Sequence, residues 1–208
     1  MIKLLGHDKV IIRFISLYSL GLALLYISWT LTYFLIPEGV LREVSIFTKL
    51  AGDSAADTMG REFMQIFGVN LIGSSFIIFG NYILRVNKFP FGYLVPLAWM
   101  IMYGATLGTN SFSIALEKTM APTLAVFSRS GPYEMMAGVL LAVATNSISV
   151  NKSESFFSKS KPVPNDERVP ITKEQWAAIG IAILILSGAA LREAYMIINL
   201  VFNTSAMS

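Results

Sequence analysis

Residues 15–37, ISLYSLGLALLYISWTLTYFLIP, carry no charged side chain. The hydrocarbon core of a bilayer takes about 20 apolar residues in helical form, so a run of this length reads first as a membrane span. A cleaved secretory leader has a shorter apolar core followed by small residues, whereas this run closes on Phe34, Leu35, Ile36 and Pro37. The expectation is therefore a retained anchor.

Four more apolar runs follow, at residues 63–84, 91–116, 133–150 and 176–202. The fourth span of the resulting layout is the shortest and contains Asn146 and two serines, which fits a tilted or incomplete crossing. Composition supports the class: 54% of residues are hydrophobic and 14% charged, against about 25% charged in soluble domains. The predicted fold is all-α, a polytopic transmembrane helix bundle of about five spans with an external amphipathic helix. All of residues 1–208 belong to a single integral membrane domain.

Basic residues set the orientation, because cytoplasmic connections retain the excess of Lys and Arg. One side of the layout has Lys3, Lys9, Arg13, Arg85, Lys88, Lys152, Lys159, Lys161, Arg168 and Lys173, ten in all. The other has Arg42, Lys49, Arg61, Lys118 and Arg129, and the sixteenth, Arg192, falls inside the last span. The expectation is a multi-pass protein of the cell membrane, amino terminus cytoplasmic and carboxyl terminus external.

The connections differ in character. Residues 151–174 mix Ser, Lys, Pro and Asp with few apolar groups and read as a flexible cytoplasmic linker, either a tether or a docking strip. In residues 38–61, Val40, Val44, Phe47 and Ala51 recur on one helical face, predicting the external amphipathic helix. Residues 117–132 hold a short apolar piece between Pro122 and Gly131, read as a surface turn in preference to a re-entrant segment.

Several chemistries are excluded or left without ligands. The chain has no cysteine and a single histidine, His7, so disulfides, thiolate metal sites and a cysteine nucleophile are absent, and no metal or cofactor is expected. It has no phosphate-binding loop, no GxSxG elbow, no HExxH and no basic run suited to nucleic acid. No catalytic residue is assigned. The sequons at Asn151 and Asn203 are short enough to occur by chance.

Charges near or inside apolar spans are costly and therefore informative. Arg192 and Glu193 interrupt the last span, while Arg61, Glu62 and Glu134 stand at span starts on the same predicted side. Pairing of Arg192 with Glu134 or Glu62, and of Glu193 with Arg61, would offset part of the desolvation cost. The cluster is read as a structural ion-pair network, or else as a polar pathway for a proton, ion or solute. A closed network implies a scaffold, and a cavity open to solvent implies transport. Asn70, Asn110 and Asn146, with Asn81, are expected to hydrogen-bond between helices. Gly104 and Gly108 form a small face for close helix approach, within the chain or in a dimer, and Pro96 predicts a kink in the third span.

The segments NLIGSSFIIFGNYIL, GYLVPLAWMIMYGATLG and RSGPYEMMAGVLLAVATNSI, with AALREAYM in the last span, together resemble the stage II sporulation protein M-like family of integral membrane proteins. That family typically opens its fourth span with a His-Gly-x-x-Glu-like sequence. Gly131 and Glu134 match it and Ser130 replaces the histidine, while Glu193 matches the acidic residue of the last span. The resemblance implies a non-catalytic membrane subunit or scaffold of a multi-protein complex. Its partners would be the lipid bilayer and other membrane proteins or further copies of the chain, with no nucleic acid. The alternative is a small-solute or ion transporter or channel using the outer-leaflet charged cluster.

Overall fold

The computed structural model describes residues 2–42, 56–112, 115–155 and 157–205. A single turn, α1 (Ile2–Leu5), precedes α2 (Val10–Leu35) and α3 (Met59–Ile83). A hairpin of β1 (Arg85–Val86) and β2 (Phe89–Pro90) leads through a 3-10 turn, Phe91–Tyr93, into α4 (Leu94–Gly108). A second 3-10 turn, Leu124–Ser128, precedes α5 (Gly131–Ala144). The chain then forms β3 (Asn151–Ser153), β4 (Lys161–Pro162) and α6 (Lys173–Ser205).

Four helices are long and apolar enough to cross a membrane: Val10–Leu35, Met59–Ile83, Phe91–Gly108 and Lys173–Asn199. The fifth, α5, has 14 residues and rises about 21 Å, short of the roughly 30 Å hydrocarbon core. Most of the external amphipathic helix expected in residues 38–61 lies outside the described residues, since 43–55 are not described.

On α2, Val10, Arg13, Leu17, Gly21, Leu25 and Trp29 are buried at helical spacing. Ile11, Ile15, Ile27, Leu31 and Phe34 on its other faces are exposed. A helix apolar all round, with only one stripe covered by protein, needs an apolar surrounding for the rest. On α6, Gln175, Ala178, Ala182, Leu186, Ala189, Ala190 and Ala194 are buried.

Small residues set the closest helix pair. A Cβ at Gly104 would stand 2.3 Å from the Leu25 carbonyl oxygen, and one at Gly108 would stand 2.7 Å from that of Trp29. The small face is thus occupied within the chain by α2. Helix α4 ends at Gly108 because Asn110 takes a left-handed φ of 47°. Ser111 N–H then reaches Thr106 O at 3.0 Å and Asn110 N–H reaches Leu107 O at 3.4 Å, a Schellman closure. This cuts the expected third span short of residue 116. Pro96 falls in the first turn of α4, where its missing N–H has no intrahelical partner to lose, so the break precedes it at Phe91–Tyr93.

Both even-numbered connections meet at one end of the bundle. Strand β1 pairs antiparallel with β2 and parallel with β3, giving the order β2-β1-β3-β4. The carbonyls that α3 leaves open at its C-terminus are taken by Ser149 Oγ to Asn81 O, Val150 N to Tyr82 O and Asn151 Nδ2 to Ile83 O, at 2.6, 2.8 and 2.9 Å. Among the described residues of 151–174, pairing and capping hold the short strands β3 and β4, which are too short to show any alternation in sequence. Thr172 and Gln175 form a reciprocal capping box at the start of α6.

The opposite, far end is filled from within. Trp29 Nε1 donates to Met120 O at 2.8 Å, Tyr26 hydroxyl to Thr123 O at 3.1 Å, and Tyr18 hydroxyl to Pro132 O at 3.2 Å. Each successive partner lies further down α2, so residues 117–132 descend along the bundle before α5 begins. Aromatic donors on α2 thus hold the irregular backbone of this segment, several of whose residues stay exposed.

Candidate functional site

The acidic residues of α5 and α6 meet in the far half of the bundle. Helix α5 packs mainly on α6, α6 on α3, and α4 on α2, so α3 and α4 touch little. Trp99 crosses that gap to Gly73, where an added Cβ would lie 2.8 Å from its ring. Beyond Trp99 the gap widens into a pocket of about 240 Å³.

Each wall is one helical face. Helix α3 contributes Gln65, Ile66, Val69, Asn70 and Gly73, and α4 contributes Trp99, Met102, Tyr103 and Thr106. Glu134 and Met135 come from the first turns of α5, and Glu193 from α6. Asn70 lies eleven residues into α3, about 16 Å from its start, so the pocket is set below the far rim. Met102 is 43% exposed and marks the open flank.

Glu134 and Glu193 stand side by side, with the Asn70 amide next to Glu134. Ser130 Oγ donates to Glu193 Oε2 at 3.1 Å. Glu134 Oε1 is sealed from solvent and has no hydrogen-bond partner. Gly131 allows this arrangement, because a Cβ there would lie 2.4 Å from the Tyr103 ring.

The other members of the expected cluster go elsewhere. Among the described residues the ion pairs are Arg61 with Asp57 at 3.1 Å and Lys152 with Glu167. Glu62 is buried and its Oε2 accepts from Ala56 N at 2.6 Å, inside its own helix start. Arg192 donates to Ser128 O and lies 5.9 Å from the Tyr133 ring centroid. The expected links of Arg192 to Glu134 or Glu62, and of Glu193 to Arg61, are not formed. Consecutive residues on a helix point about 100° apart, so Arg192 and Glu193 cannot share a face, and Arg61 turns back to Asp57. Arg129 is hydrogen-bonded to the pocket residue Tyr103, with its guanidinium 5.0 Å from the Phe112 ring centroid.

The amides divide likewise. Asn70 lines the pocket, Asn110 binds Glu38 and both the N–H and carbonyl of Leu116, and Asn146 accepts from Gln175 Nε2 at 3.0 Å. Asn81 is wholly buried and donates to Ala142 O and Thr145 Oγ1, both at 2.8 Å. Trp99, Tyr103, Thr106 and Gln65 escaped sequence reasoning. Their signal was their spacing, since 99, 102, 103 and 106 fall on one helical face.

Among the described residues no group of three or more His, Cys, Asp or Glu side chains comes together to hold a metal. Compared with family models, with curated proteins and with solved structures, the chain matches none. Its four apolar helices fit a multi-pass membrane protein.

Proposed function

We propose that the chain is a multi-pass protein of the cell membrane that binds a small solute or ion in the acid-lined pocket and passes it across the bilayer. The observation carrying this is the placement of Glu134 and Glu193: both line a cavity, and neither has a basic side chain as its partner among the described residues. A buried charge kept for stability alone is expected to be paired. In this reading α5 and the segment descending before it act together as a fifth span. Ten of the sixteen basic residues lie on the side of the sheet and the amino terminus, which supports a cytoplasmic sheet end and an external carboxyl terminus.

Water access to the pocket is the test. The chain has no cysteine, so Thr106→Cys provides its sole thiol, on the pocket wall. N-ethylmaleimide reacts with the thiolate, which forms where water reaches. Reaction in the folded protein is the expected result. A cysteine silent until denaturation would remove the solute reading.

A membrane subunit or scaffold, related to the stage II sporulation protein M-like proteins, is the second reading. It is favoured by Phe157, fully exposed at the sheet end between β3 and the edge strand β4. Such a surface offers an apolar anchor and a free strand edge to a soluble partner. Stoichiometric co-purification of another chain, abolished by Phe157→Asp, would establish it.

A further inference from the structure

We infer that the pocket takes a small organic ammonium ion that carries N–H donors, its head between Glu134 and Glu193 and its apolar part between Trp99 and Tyr103. The inference rests on the reading of the pocket as a solute site and names the class of solute.

Charge comes first. Two carboxyl groups face one cavity, and Arg129, hydrogen-bonded to the wall residue Tyr103 and stacked on Phe112, pairs with neither of them. An anion would meet the negative charge of two adjacent, hydrogen-bonded carboxyl groups in a medium of low dielectric. A neutral solute would leave the charge uncompensated. A cation is what the walls are missing.

Hydrogen bonding narrows the cation. Glu134 Oε1 is buried without a partner, and an orphaned acceptor costs about 1 to 3 kcal/mol until a donor reaches it. A quaternary ammonium has no such donor, whereas a primary ammonium has three N–H groups. Glu193 Oε2 already accepts from Ser130, and the Asn70 amide stands by Glu134, so the polar end is arranged around one missing donor group. Hard metal cations fit poorly. They want about six oxygen ligands, and among the described residues no three His, Cys, Asp or Glu side chains come together to hold one.

Size and wall chemistry define the rest. About 240 Å³ is the volume of roughly eight waters in the liquid, or a ligand of about nine non-hydrogen atoms at similar density. Trp99, Tyr103, Ile66, Val69 and Met135 give an aromatic and aliphatic lining. Aromatic faces add cation attraction to apolar contact. Phenethylammonium has the charge, the donors and the size.

The test uses Thr106→Cys protein in lipid nanodiscs and follows the rate of N-ethylmaleimide labelling. Phenethylammonium should slow labelling at least fivefold at saturation. 2-Phenylethanol, of the same shape without charge, phenylacetate and benzyltrimethylammonium should protect at least tenfold less well by concentration. Glu134→Gln and Glu193→Gln, each made in the cysteine background, should raise the half-protecting concentration of phenethylammonium at least tenfold, each read against that variant's own unprotected labelling rate. Two separate acids are tested so that misfolding of one variant leaves the other. Labelling that no ammonium slows, or that the alcohol, the acid or the quaternary ion slows equally, overturns the ammonium assignment and leaves the open pocket standing. Absence of labelling overturns both.

Discussion

Arg13 and Glu134 are both charged residues set into the bundle, and the two regions around them treat the charge in opposite ways. Arg13 lies at the sheet end, 4% exposed, and its guanidinium donates to His7 O at 2.5 Å, Asp8 O at 2.9 Å and Val143 O at 3.2 Å. The Val143 carbonyl belongs to the last turn of α5, where the helix dipole favours a cation. Around Glu134, by contrast, the nearest charge is another carboxylate and one oxygen accepts nothing. Arg13 Nε, Asn81 Oδ1 and the Tyr93 hydroxyl are buried without partners just as Glu134 Oε1 is, so the difference lies in what surrounds the charge: three carbonyls around the Arg13 guanidinium, and a second carboxyl group beside a cavity at Glu134. The first pattern is what stability requires, and the second is what a ligand requires.

The sharpest way to break this contrast is Arg13→Leu. It leaves three carbonyls without their donor, which should cost about 3 kcal/mol, or about 6 to 12 °C in melting temperature for a chain of this size. Ligand protection at Thr106→Cys should be untouched in whatever fraction remains folded. Thermal unfolding in detergent and the labelling assay together check both halves.

Gln175→Ala probes the sheet end more gently. It removes a capping-box side chain and the bonds to Asn146 and Ser147, so about 1 to 2 kcal/mol should be lost. The same melting measurement reads it. In the far half, Ser130→Ala takes away the hydroxyl that donates to Glu193 and should lower stability by about 1 kcal/mol or less. Because Glu193 then has two oxygens to satisfy, the half-protecting concentration of phenethylammonium should change, a readout that Gln175→Ala should not move. A double variant of Arg13 and Ser130 should show additive stability losses, since the two share no partner.

What the sequence made legible follows from the range over which each signal acts. The apolar runs announce α2, α3 and α6 because a bilayer rewards length and composition irrespective of neighbours. The end of α4 was missed because a left-handed Asn110 is a local backbone event inside a hydrophobic run. The strands β1 to β4 were missed because two- and three-residue strands exist only through their pairing. The capping box of α6 was written in Thr172 and Gln175, just ahead of the first apolar residue taken as the span start. For the site, Glu134 and Glu193 stood out as charges within apolar sequence. Their partners did not, because opposite sign suggested pairing with arginines, whereas helical phase turns Arg192 away and Glu62 into its own cap.

Thermal unfolding of Glu134→Gln beside the wild type tests the central contrast most directly. An acid that faces a cavity next to a second acid is not holding the bundle together, so its neutral isostere should melt at the wild-type temperature or above it. A fall of the size expected for Arg13→Leu would make Glu134 a structural residue and contradict the account.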